Sequence, residues 1–180
     1  MTVFSSALDK RAIDAIRGCM ATDKPGPRPS IRRYDHVNDY LPIQHLSVRM
    51  HQESKYAHIP LSYASVYEFL SSIQGSNTEA FVAEHIKHGI IGFVAVMLMP
   101  LVFSPAHLAH DLALYVAPEF RHTLAFAGLI RAAERWAKRH NAQSIIFGIS
   151  APHDPARVAR AYKKLGYVEV GVSMRKEIAT

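Results

Sequence analysis

The order of sequence periods predicts an α/β fold: a mixed, mostly antiparallel central sheet flanked by helices, with a helical extension at the N-terminus. Three observations lead there. Segments with helical spacing and segments with strand alternation interleave in the order β-α-α-β-β-β-α-β-α-β. The three central strands are joined by connections too short for a crossover helix, so they form an antiparallel meander. Two amphipathic helices then separate the last three strands, as crossover helices do, which makes the sheet mixed.

The elements follow in chain order. Leu8, Ala12, Ile16 and Met20 recur at a spacing of four between charged residues, predicting a short amphipathic helix over residues 5–20. Ala21 to Ser30 holds three prolines and one glycine and reads as a linker. Residues 1–29 are therefore a helix and Pro-rich linker, and residues 30–180 one compact domain. Ile31–Tyr34 is a short strand; Asp39–Glu53 and Ser62–Ile73 are helices, the second with Tyr63, Val66, Phe69, Leu70 and Ile73 on one stripe. Ala80–Glu84 and Ile90–Met99 flank Lys87-His88-Gly89 as a hairpin. Leu108–Val116 alternates, with Leu112, Leu114 and Val116 on one face and Asp111, Ala113 and Tyr115 on the other. Thr123–His140 is the longest helix, Ser144–Ile149 a buried strand, and Asp154-Pro155 opens a helix that Gly166 closes. Tyr167–Ile178 is the last strand.

Composition excludes several classes. The 180 residues are 49% hydrophobic and 20% charged, enough for one full core and unlike a disordered chain. The single cysteine, Cys19, excludes an internal disulfide framework and a CxxC metal site. The longest apolar run, Ile90 to Met99, falls far short of the ~20 residues a membrane span needs. Asp9 and Lys10 stand where a secretory signal needs its apolar core, so the chain is read as unprocessed and cytoplasmic. The net charge of +6 is uneven: +3 over residues 1–60, −4 over 61–120 and +7 over 121–180. The last third favours an anionic ligand, and the middle third favours a cation.

The segment from His110 to Thr123 joins a strand to the start of the longest helix. Unpaired N–H groups of a helix's first turn, together with its dipole, form a cradle for phosphate. Val116-Ala117-Pro118-Glu119-Phe120-Arg121 and Ala161-Tyr162-Lys163-Lys164-Leu165-Gly166-Tyr167 resemble, in this order, two motifs of the GNAT (Gcn5-related N-acetyltransferase) family. Glu53-Ser54-Lys55-Tyr56, Asp111-Leu112-Ala113-Leu114-Tyr115-Val116 and Arg121-His122-Thr123-Leu124-Ala125-Phe126 are most similar to phage-type members.

The resemblance implies a GNAT fold and transfer of acetyl from acetyl-CoA to a primary amine of a small molecule or protein, with no metal. It places acetyl-CoA between the Leu108–Val116 and Ser144–Ile149 strands. Tyr115 and Val116 would pair with its pantetheine, and Arg121, His122, Thr123, Leu124, Ala125 and Phe126 would hold its pyrophosphate. Asp111 is the implied base and Tyr162 the implied acid. The acceptor is implied to meet His51, Glu53, Tyr56 and His58, in a pocket built from residues 50–62 and 99–108. In the loop, His122, Leu124 and Phe126 stand where family members carry glycine, and a Cβ there crowds a ligand lying on the backbone. Two further readings follow: a binding protein that kept the fold and lost turnover, or a phage GNAT-like enzyme acting on DNA.

Eleven histidines invite a metal reading, but His51, Glu53 and His58 lack the spacing of a His-Glu-x-x-His helix. Either histidine is an alternative base. Arg157, Arg160, Lys163 and Lys164 form one basic stripe, and Arg131, Arg135, Lys138 and Arg139 another, without interleaved aromatics. The N-terminal helix offers a surface for a second subunit.

Overall fold

The structure, a computed structural model, describes residues 28–176 except 74, 76, 151–153, 172 and 175. The helix expected over residues 5–20 and Cys19 lie outside the described residues. Elements run β1 (Ser30–Arg33), α1 (His36–Gln52), α2 (Tyr63–Ser72), β2 (Thr78–His85), β3 (Gly89–Leu101), β4 (Ser104–Val116), a single 3-10 turn (Pro118–Phe120), α3 (Ala125–Arg139), β5 (Ile145–Ile146) and α4 (Pro155–Lys164). The sheet order is β1-β2-β3-β4-β5. The first three pairings are antiparallel and β4–β5 is parallel, giving the mixed sheet expected.

Each helix start has a local cause. The Asp35 carboxylate accepts from Val37 N–H, so α1 begins at His36, three residues earlier than its apolar stripe predicts. Ser62 caps α2 through Ser65 N–H, and Asp154 caps α4 through Arg157 N–H with Pro155 at the first position. The start of α3 has no side-chain cap at Leu124. Gly89 (φ 65°) turns β2 into β3, and Gly166 (φ 92°) closes α4; both are left-handed positions where a Cβ is costly.

The sheet separates two cores. On one face α3 buries Leu129, Ala133 and Trp136 against Phe81, Val94, Val96 and Val116. On the other, α1 and α2 bury Ile43, Leu46 and Leu70 against Phe93, Ala95 and Tyr115. The close approach of α3 to β1 needs Gly128, whose missing Cβ would lie 2.8 Å from Ile31 Cγ1. Arg32 of β1 clamps α1 by two bonds to the buried Asp39 carboxylate, at 2.6 and 2.8 Å, and reaches Glu84 on β2.

Four expectations are corrected. The face assignment in β4 fails because the register slips at Ala95/Val96: Ala113 pairs with Ala95 and Asp111 with Val96, leaving Leu112 as an inserted residue. Asp111 thereby lies on the face of Val96, toward α3, with Leu114 and Val116. Residues 99–108 are not a pocket loop; they continue β3 and β4 as a long hairpin whose tip is Val102-Phe103. The strand expected over residues 144–149 keeps pairing at Ile145 and Ile146 alone. The strand expected over Tyr167–Ile178 is absent among the described residues, where Val168 and Val170 are exposed and find no neighbouring strand.

Candidate active site

The site begins with the unequal edges of β4. On one side β4 is paired with β3 from Leu101↔Ser104 to Gly92↔Val116. On the other, β5 pairs at Ala109↔Ile145 and His110↔Ile146 only. Gly148 N–H then donates to Asp111 Oδ1 at 2.8 Å, so a side chain replaces the next rung of the ladder and the strands part. Among the described residues, β4 has no strand partner on this side from Leu112 to Val116.

Backbone direction decides what that edge offers. Ala117 N–H donates to Ile91 O on β3 at 2.9 Å, so alternation turns the N–H and C=O of Val116 outward, and those of Leu114 likewise. Tyr115 directs its backbone groups to β3. Of the two residues expected to pair with a ligand, Val116 turns its backbone groups outward, its C=O holding Arg121 Nε, and Tyr115 turns its own to β3.

Just beyond the edge stands the start of α3. Its helical ladder opens with Gly128 N–H to Leu124 O (2.9 Å). Thr123 Oγ1 accepts from Ala125 N–H at 3.2 Å, which leaves the N–H groups of Phe126 and Ala127 at the helix end. Ala125 itself is buried, while His122 and Leu124 are exposed. The Phe126 ring packs on Tyr162, with centroids 5.3 Å apart.

Tyr162, from α4, is buried in a cage of Phe126, Phe147 and Tyr167. Burial, then the nearby Asp111 charge and Tyr167, push its phenol well above the ordinary range, so it stays protonated through neutral pH. Asp111 is held in the same surroundings: burial raises its carboxyl above the usual range, opposed in part by the Gly148 amide. The structure therefore brings Asp111 and Tyr162 together on the α3–α4 side. Tyr167, whose hydroxyl donates to Glu134 Oε1 (2.9 Å), and Phe147 complete this group and were not singled out by the sequence. The Leu165-Gly166-Tyr167 motif held the signal for Tyr167.

A second group gathers across the sheet. Glu53 ends α1 and accepts from the Tyr115 hydroxyl at Oε1 and from Arg121 Nη2 at Oε2, both at 2.5 Å. Burial would raise Glu53, but these two bonds outweigh it and hold the carboxyl below its ordinary value. Tyr115 is raised, by burial and then by Glu53. Arg121 also donates from Nε to Val116 O (2.9 Å) and lies 5.5 Å from the Tyr115 ring centroid. Arg49 and Glu119 pair beside this group at 2.8 Å.

Of the other residues expected at an acceptor pocket, His51 donates from Nε2 to Ile59 O at 2.8 Å. Tyr56 lies under the Lys55 ammonium, and His58 is exposed. Among the described residues no cluster of three or more His, Cys, Asp or Glu could hold a metal. No helix among them is long and apolar enough to cross a membrane. His85 and His88 stack against Phe120, with ring centroids 5.7 and 5.1 Å away.

The model of the acetyltransferase (GNAT) family matches residues 43–167. The chain belongs to that family. No curated protein sequence matches the chain. Among solved structures it is similar to glucosamine-6-phosphate N-acetyltransferase from Arabidopsis thaliana, at 14% identity and TM-score 0.67, over 84% of this chain and 99% of that one. An aminoglycoside acetyltransferase from an uncultured soil metagenomic sample, in complex with sisomicin, matches at 17% identity and TM-score 0.63, over 84% and 97%. An acetyltransferase from Trypanosoma brucei matches at 19% and 0.64, over 83% and 99%. At these identities the three share the fold. Closeness to phage-type members rests on the three motif segments alone.

Proposed function

We propose that this chain is an N-acetyltransferase moving acetyl from acetyl-CoA to a primary amine by direct attack. One observation carries the reading: the open stretch of β4 has outward strand amides along it, the N-terminal amides of α3 at one end, and a buried, protonated tyrosine beside it. The residues present fit such a ligand. The outward N–H and C=O of Val116 match an extended amide-bearing arm as an added strand would. The N–H groups of Phe126 and Ala127, with the α3 dipole, match a pyrophosphate. Phe126 stands where a glycine was expected, yet its ring packs on Tyr162 and its N–H remains among the first-turn donors.

Acetyl-CoA, when bound, supplies an acyl carbon activated by a sulfur leaving group. For C–N formation and C–S cleavage to balance, the protein takes one proton from the attacking amine and gives one to the departing sulfur. Tyr162 O–H gives the proton, since its raised phenol is still protonated at working pH. Asp111, at the point where β4 and β5 part, takes the other: a carboxylate lifted by burial is a stronger base than an exposed one. Glu53 and Tyr115 lie on the acceptor side.

The acceptor we favour is a small cationic amine. The aminoglycoside acetyltransferase and the glucosamine-6-phosphate N-acetyltransferase that share the fold support that class, as does the −4 balance of residues 61–120. A protein lysine or N-terminus is the other arm of an acceptor screen. The bulky loop residues His122, Leu124 and Phe126 favour one rival, a binding protein without turnover.

Thermal unfolding with acetyl-CoA or CoA tests the reading, because a ligand bound only to the folded state raises the midpoint with concentration. The expected result is such a rise for both, with thiol released when an accepted amine is added. No rise at millimolar ligand contradicts the proposal; a rise without thiol release across amines and lysine peptides favours the binding protein.

A further inference from the structure

Arg121 sits where two ligands would meet. Its Nε occupies Val116 O, an outward acceptor on the open edge, and its Nη2 neutralises Glu53 on the acceptor side. Its side chain is 44% exposed, so it can leave without breaking a core. Five residues further on, the free amides of α3 offer a seat for phosphate. Both attractions act on the same guanidinium. A ligand laid along β4 with its own N–H donors competes for Val116 O, and a phosphate at α3 competes with Glu53 for the cation.

The consequence falls on Glu53. Its two oxygens are engaged by Tyr115 and Arg121, and the other nearby cation, Arg49, is already bonded to both oxygens of Glu119 at 2.8 and 3.0 Å. Removing Arg121 leaves a one-third exposed carboxylate held by a single tyrosine. Such a group attracts a cation.

We propose that Arg121 has two positions, on Glu53 and Val116 O in the free protein and on the cofactor phosphates in the complex, so that cofactor binding uncovers Glu53 as the anionic group on the acceptor side. The inference rests on the acetyl-CoA reading. Glu53 is then a positioning residue for the amine, and its pairing with Arg121 screens the site against amines before the cofactor is in place.

The test uses CoA itself, on the full chain, by titration calorimetry. Glu53→Gln keeps an oxygen for Tyr115 but releases the charge on Arg121, so CoA is expected to bind about 3- to 10-fold more tightly than to the parent. Arg121→Ala is expected to bind more weakly, and adding Glu53→Gln to it is expected to change nothing, because the gain runs through Arg121. Equal or weaker CoA binding by Glu53→Gln, while the parent binds CoA, overturns the two-position account and leaves the acetyltransferase reading standing. A parent that binds no CoA overturns both. A second readout needs no variant: the carbon-13 carboxyl resonance of Glu53, followed against pH, is expected to titrate higher with CoA bound than without. A purely structural Glu53–Arg121 pair predicts no change, and that result also overturns the proposal.

Discussion

The two edges of β4 are built from one strand and behave oppositely. Toward β3 its pairing runs from Ser104 to Val116, and along its inner half the partners are apolar and almost wholly buried, such as Phe93, Val94 and Ala95. Toward β5 it runs for two residues, and then a carboxylate, a bulge and a gap follow. The difference teaches where stability and chemistry reside. Apolar side chains on both faces make the β3 edge a core element. The other edge gives up ladder bonds, leaving outward amides for a ligand to use.

Breaking the closed edge carries the largest expected effect. Phe93→Ala removes a fully buried ring from the α1–α2 face and is expected to cost about 3–5 kcal/mol in denaturant unfolding. A loss under about 1 kcal/mol would mean that the edge is less tightly packed than its burial implies. Tyr162→Phe acts on the open edge instead. Turnover is expected to fall about 100-fold while CoA affinity stays within about twofold, since only the proton donor is removed. Unchanged turnover takes Tyr162 out of the mechanism.

Smaller effects sharpen the contrast. At Gly92 a Cβ would lie 2.7 Å from Tyr115 O, a backbone atom with little freedom to retreat. Gly92→Ala is expected to lower stability by about 1–3 kcal/mol in denaturant unfolding. Asp111→Asn gives a pH signature. Because burial raises the folded-state carboxyl above its unfolded value, the parent binds this proton more tightly when folded. The associated stability is full below the ordinary carboxylate range and fades as pH rises through the raised value. The asparagine variant, which can still accept from Gly148, is expected to gain on the parent as pH climbs from about 4 toward neutrality. Stability curves that stay parallel across that range contradict the burial argument. Loss of turnover in the same variant, with CoA still bound, supports Asp111 as the base.

The fold was legible because period and punctuation agreed element by element. Asp154-Pro155 and Gly166 bounded α4, and Gly89 closed the first hairpin. The errors came from long-range pairing, which local pattern does not encode. Leu112 alternates with its neighbours in sequence, but the register slip against Ala95/Val96 makes it an insertion and turns Asp111 to the other face. Ser144–Ile149 is apolar enough for a strand, but Gly148 finds the Asp111 carboxylate instead of a ladder partner. The Tyr162 motif was readable from its residues, whereas its Phe126–Phe147–Tyr167 cage joins three separate segments. Arg121 was visible as a cation near an anion seat. Its bonds to Glu53 and Val116 O, 68 and 5 residues away, required the fold.

The central claim is that the open edge of β4 and the start of α3 together receive acetyl-CoA. Amide resonances of the labelled protein, followed while CoA is added, test it most directly. The account predicts that the N–H signals of Val116, Phe126 and Ala127 shift in step with saturation, while those of Val82 and Val94 on the closed side stay in place. Binding that moves signals elsewhere and leaves Val116, Phe126 and Ala127 unmoved would contradict it.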